Sequence, residues 1–203
     1  MKKLTAIALL SLSLNASVLG QRINFGAHVK DEAITLTIVN NPLGLNFNDQ
    51  QRVIVVGDPT PVVIGINDNP TIVIEIDAPI EYDLTAEFSW TPGLYLGIDT
   101  GITVPFNLNF AYNNTGELSD IDRRLAAVQV PSAFRTVTLP VRRRTAGGPP
   151  LPPPTPDHQG FIRQRGKAYF YIYGSLGPIP NNIRSGNYTG EINLFINYNE
   201  NNF

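Results

Sequence analysis

Two histidines and no cysteine set the outer limit of the side-chain chemistry open to this 203-residue chain. Nucleophilic hydrolysis needs a serine, threonine or cysteine with a base within reach. His28 stands near the start of the chain and His158 inside a proline-rich stretch, and neither sits beside a G-x-S-x-G turn. Zinc asks for closely spaced His and Cys ligands, which the sequence does not supply. Phosphate-cradling glycine loops are absent as well. The carboxylates offer two weaker patterns. Asp120 and Asp122, with Glu117 nearby, are oxygen ligands of the kind calcium takes. The same acids suit the first turn of a helix, which accounts for them without a metal. Glu75, Asp77, Glu81 and Glu87 have the right type for a glycosidase acid pair, yet no spacing singles out two of them. The expectation is a protein that is not an enzyme, with no catalytic residue, cofactor or metal.

Aromatic side chains are the other chemistry-bearing group. Tyr169, Phe170, Tyr171 and Tyr173 form one cluster, and Tyr82, Phe88, Trp90 and Tyr95 another. Exposed rings on a sheet stack against sugars; alternating rings on a strand otherwise fill a core and pair across strands. The core reading is preferred, with a glycan as the alternative ligand.

The elements that must position these residues repeat with a period of two. Nine alternating or short apolar runs occur at 33–39, 52–56, 61–66, 71–77, 82–90, 102–112, 135–141, 167–173 and 189–198. Asn, Asp, Gly and Pro separate them, as in Asn67-Asp68-Asn69-Pro70 and Asn113-Asn114-Thr115-Gly116. Only 118–128 reads as helix, with Ser119 placed to cap it. The pattern predicts an all-β, immunoglobulin-like antiparallel β-sandwich at 33–203, in which each strand hides one face against a second sheet.

Residues 1–20 have the three parts of a secretory signal peptide: Lys2 and Lys3, an apolar stretch at 4–14, and a small-residue exit ending in Gly20. A cut after Gly20 would leave Gln21 first, a residue able to cyclise to a neutral pyroglutamate. The apolar stretch is short for a span of roughly 30 Å. Without cysteine there is no lipid-anchor site and no disulfide. The expected location is the periplasm, the cell surface or outside the cell. A formal net charge of −2 leaves no basic footprint for nucleic acid.

Two segments depart from a plain sandwich. In the arm at 21–32, Ile23, Phe25, Ala27 and Val29 alternate with Arg22, Asn24, Gly26 and His28. It reads as a first strand or as a donor strand lent to a neighbouring subunit. The second, at 142–159, carries six prolines between Pro149 and Pro156. It is an exposed loop, with Pro150, Leu151 and Pro153 as its apolar contacts if it docks a partner.

The closing sequence YIYGSLGPIPNNIRSGNYTGEINLFINYN joins a glycine-bearing strand, a proline loop, Gly-x-Tyr-x-Gly and a final alternating strand. With ITLTIVNNPLGLNFND at 34–49 and the strand that follows Gly65, it resembles exported pilin-like β-sandwich domains near the spore coat protein U type of chaperone–usher subunits. Gly186, Tyr188 and Gly190 carry the match. That resemblance implies a structural or adhesive subunit of a bacterial surface assembly, with other protein subunits as partners. An accessory subunit of an outer-membrane or secretion complex is the second expectation. Tyr188 is placed to act as a tyrosine corner.

Overall fold

Alternation over short segments sorts the chain into two sheets, each with one apolar face that must find the other. The computed structural model describes residues 21–29, 34–40, 44–50, 55–143 and 163–199. The leader at 1–20, most of the run at 52–56, and 144–162 with Pro150, Leu151 and Pro153 lie outside the described residues.

In chain order the elements are β1 (Gln21–Val29), β2 (Thr35–Asn40), β3 (Leu45–Asn46) running into a 3-10 turn (Phe47–Gln50), β4 (Val62–Ile64), β5 (Ile72–Pro79), β6 (Asp83–Trp90) and β7 (Leu94–Leu96). Then come β8 (Asp99–Val104), β9 (Phe106–Asn113), α1 (Asp120–Leu125), β10 (Val128–Val130), β11 (Thr136–Pro140), β12 (Arg165–Leu176) and β13 (Tyr188–Tyr198). One sheet runs β11-β6-β13-β1-β3, with β7 beside β13 and β8 beside β7. The other runs β10-β9-β12-β5-β2, with β4 beside β12. The sheets face each other as an all-β sandwich, as the alternation predicted.

The core between the sheets is aliphatic with an aromatic centre. Phe88 of β6 lies 4.2 Å from Phe110 of β9 and edge-on to Phe170 of β12 at 5.6 Å, measured between ring centres. Each such side chain, fully buried, contributes roughly 1.5–3 kcal/mol of transfer free energy.

Four local differences from the sequence expectation have physical reasons. The run at 102–112 is two strands in two sheets: Pro105 has no N–H for a ladder, and the chain crosses there from β8 to β9. The sandwich is not wholly antiparallel, since β1 runs parallel to β13 from Gln21↔Tyr188 to Val29↔Ile196. The helix is shorter than 118–128; α1 ends at Leu125 and Val128 already belongs to β10. Ser119 stands at its N-cap in extended conformation, but its side chain makes no capping bond.

The fourth difference concerns β12. Its residues Ala168 to Ile172 are buried on both faces. Inward-facing Phe170 and Ile172 meet the other sheet, while Tyr169 and Tyr171 with Val73 and Ala111 form a second cluster on the outer face. The segment bearing α1 covers that face. Its Arg123 guanidinium lies 4.2 Å from the Tyr169 ring centre and that of Arg124 5.6 Å from Tyr171. Arg124 also donates to the Ile66 carbonyl, tying the segment down.

Candidate functional site

Three of the four carboxylates singled out by type, Glu75, Asp77 and Glu81, are engaged with neighbouring bases. Glu75 accepts from the Tyr169 hydroxyl (2.9 Å) and pairs with Lys167 (2.6 Å). Asp77 pairs with Arg165 at 2.6 Å, and Glu81 lies 3.8 Å from Arg163. Burial alone pushes the Glu75 carboxyl up. Hydrogen bonds from Lys167 and Tyr169 outweigh it and hold the group below the ordinary glutamate range. Glu87 is exposed on β6. Asp120 pairs with Arg123 and Arg124, the expected helix-turn role for that acid. Among the described residues no three His, Cys, Asp or Glu side chains gather as metal ligands. His28 stacks on Phe195 with ring centres 4.9 Å apart; His158 lies outside the described residues.

The aromatics are committed too. Trp90 points inward at the end of β6, where Phe110 lies 5.7 Å away and the Arg135 guanidinium covers its ring at 3.4 Å. A sugar would have to displace that arginine to stack there. Tyr169 and Tyr171 are buried beneath α1.

The arm residues fall into place in β1. Ile23 is fully buried, Phe25 packs against the core, Ala27 is half-buried and Val29 is 41% exposed. On one side β1 pairs with β13 along its whole length. On the other it pairs with β3 only at Arg22 and Ile23, so the edge from Asn24 to Val29 has no strand beside it among the described residues. In the closing motif the Tyr188 hydroxyl donates to the Arg184 carbonyl (3.0 Å) and accepts from the Arg184 N–H (3.2 Å). A Cβ on Gly186 would stand 2.5 Å from Leu96, and one on Gly190 2.7 Å from Leu94. The two glycines are therefore bare where β7 leans on the start of β13.

One surface was not legible in the sequence: a groove of about 640 Å³ between β10 and β11. Among the described residues each of these strands ends its sheet, β10 pairing only with β9 and β11 only with β6. The chain passes between the two sheets at 131–135. Val130 and Tyr112 reach into the groove from the core, and Val137 and Leu139 line it from β11. Tyr112 and Asn114 both donate to the Pro140 carbonyl and hold the groove's two walls together at one end (2.9 and 2.8 Å). Among the described residues that line it, the charged one is Arg143. The rim exposes Phe134 (58%) and Val128 (68%) among the polar Gln129, Thr136 and Thr138. On α1, Ile121 and Leu125 are exposed as well. An apolar groove flanked by unpaired N–H and C=O groups suits an extended peptide, whose main chain pairs while its side chains fill the floor.

Strand registers place a complementary feature at the opposite end. β9 runs from Phe106, opposite Leu176, to Asn113, opposite Tyr169. The β7–β8 hairpin joins β13 at Tyr188, near the Leu176 end, whereas the groove lies at the Tyr112 end. At the hairpin tip Ile98 is wholly exposed.

No family model matches the chain, and no curated protein is similar to it.

Proposed function

We propose that this chain is a non-catalytic structural or adhesive subunit of a bacterial surface assembly, exported by its leader and joined to other subunits through its open sheet edges. The observation that carries the reading is the β10–β11 groove. A soluble sandwich ordinarily blunts its edges with charge, bulges or cover. Here two edges flank an apolar floor, and Val128 and Phe134 are left exposed on the rim. The unpaired half of β1 offers a second edge, the one a donor-strand arrangement like that of chaperone–usher subunits would use. The engaged carboxylates and the covered Trp90 supply neither a free acid pair nor a bare stacking platform.

Isolation of the tagged protein from detergent-solubilised envelope tests this. A complex several times the monomer mass is expected, built of this chain alone or with a stoichiometric second protein. Recovery in the cytoplasmic fraction, or from the envelope as a lone monomer, would overturn the proposal.

A further inference from the structure

Gln21 is an oddity at the head of β1. Its side chain is completely buried, and among the described residues neither its amide nitrogen nor its amide oxygen has a hydrogen-bond partner. Buried amides are nearly always satisfied, and leaving donors and acceptors unpaired costs stability. The main chain at this position is held in register with Tyr188 of β13, and its nitrogen donates to Asn48 Oδ1 at 3.4 Å. The slot therefore accepts one N–H, at Asn48, and leaves the carboxamide without a partner among the described residues.

The export reading, on which this inference rests, makes Gln21 the first residue of the mature chain. A free terminus would then put an ammonium group at a part-buried position beside a buried, unsatisfied carboxamide. Burying a charge without a counter-charge is among the costliest things a fold can do. Asn48 offers that group a neutral amide oxygen.

We propose that Gln21 is a modification site, converted to pyroglutamate after the leader is removed. The α-amino nitrogen attacks the side-chain Cδ, a C–N bond closes a five-membered lactam, and the side-chain nitrogen departs as ammonia. No oxidant, reductant or further reactant takes part. Three polar deficits shrink together. The ammonium becomes a neutral amide with a single N–H, which matches the single acceptor at Asn48. The two orphan N–H donors of the carboxamide leave with ammonia. Only the carbonyl oxygen remains to be solvated. Cyclisation needs the α-nitrogen free to reach Cδ, so it precedes the docking of β1 between β13 and β3. Once docked, the lactam is shielded by the fold.

Intact-mass measurement of the protein recovered from the cells that export it decides the matter. The expected mass is that of residues 21–203 less one ammonia, with the lactam placed on the N-terminal peptide by fragmentation. A mass equal to residues 21–203 with a free amine overturns this inference and leaves the export reading standing. A chain that keeps residues 1–20 overturns both, and a cut elsewhere overturns this inference alone. In a second arm, Gln21→Asn, which cannot form the five-membered lactam, is expected to show the uncyclised mass and a lower Tm than the natural protein. An equal Tm would overturn the claim that the slot favours the lactam.

Discussion

The Tyr188 hydroxyl holds both main-chain groups of Arg184 from a fully buried position, so the turn before β13 is fixed by one side chain. Tyr188→Phe removes that oxygen and leaves the Arg184 N–H and C=O, on an exposed residue, to water. The expected cost is about 0.5–1.5 kcal/mol, read as a lower denaturant midpoint with an unchanged m-value. The Glu75 carboxyl makes a second residue-scale prediction. Its folded pKa is depressed, chiefly because the Lys167 and Tyr169 hydrogen bonds outweigh burial. The stability it contributes is therefore complete above the ordinary glutamate value and fades as pH falls through the lower, folded one. In Lys167→Met the Glu75 titration followed by NMR should move upward toward the ordinary value. An unmoved titration would show that the lysine does not hold the carboxylate. Tyr188 was legible from Gly-x-Tyr-x-Gly because a tyrosine between two glycines at a strand start has few uses. The Glu75 pairs were not legible, since Lys167 is distant in sequence and only the β5–β12 register, Lys167↔Asp77 beside Tyr169↔Glu75, sets them side by side.

Strands were readable where alternation was clean. β2, β6 and β13 follow their apolar positions closely because each buries one face. β12 was found for the right composition but hid a second burial. Tyr169 and Tyr171 carry polar tips that suit a solvent-facing side, and nothing local reveals that α1 folds over them. Pro105 was the signal that β8 and β9 are separate. The covering of β12 makes the element sensitive to alkali. Burial, ahead of the nearby Asp120 charge, raises the Tyr171 hydroxyl to about 12. Burial raises Tyr112 further still. A raised tyrosine pKa leaves the folded state holding protons that the unfolded chain has lost. Stability is then full below the ordinary tyrosine value of about 10 and declines as pH climbs through the folded values. Alkaline unfolding should accordingly coincide with the appearance of tyrosinate absorbance from these buried rings. In Arg124→Ala, which frees the cover from Ile66 and the Tyr171 ring, both should begin at lower pH. Unchanged onset would mean that α1 does not protect β12.

At the scale of the molecule, the two sheets close on each other over most of their area and stay apart between β10 and β11. Sequence could not show this. β10 is three residues long, β11 five, and the groove forms between them only once the chain has crossed from one sheet to the other at 131–135. The exposed Ile98 tip lies at the other end of the sandwich. A contact between tip and groove of successive copies would be heterologous, and such contacts build rings or open chains rather than closed two-fold dimers. If copies join this way, Ile98→Glu and Phe134→Glu should each be monomeric alone and form dimers when mixed, because each retains the surface the other lacks. Failure of the mixture to dimerise would assign the groove to a different protein partner.

The measurement that bears most directly on assembly through the groove is the size of the natural protein in solubilised envelope compared with a Val128→Glu/Phe134→Glu double variant. Both side chains are exposed, so the fold should tolerate the change within about 0.5 kcal/mol per site. Circular dichroism and thermal melting would verify that it does. The predicted result is a complex for the natural chain and a folded monomer for the variant. A variant that is folded and found in an undiminished complex would contradict the groove as the joining surface.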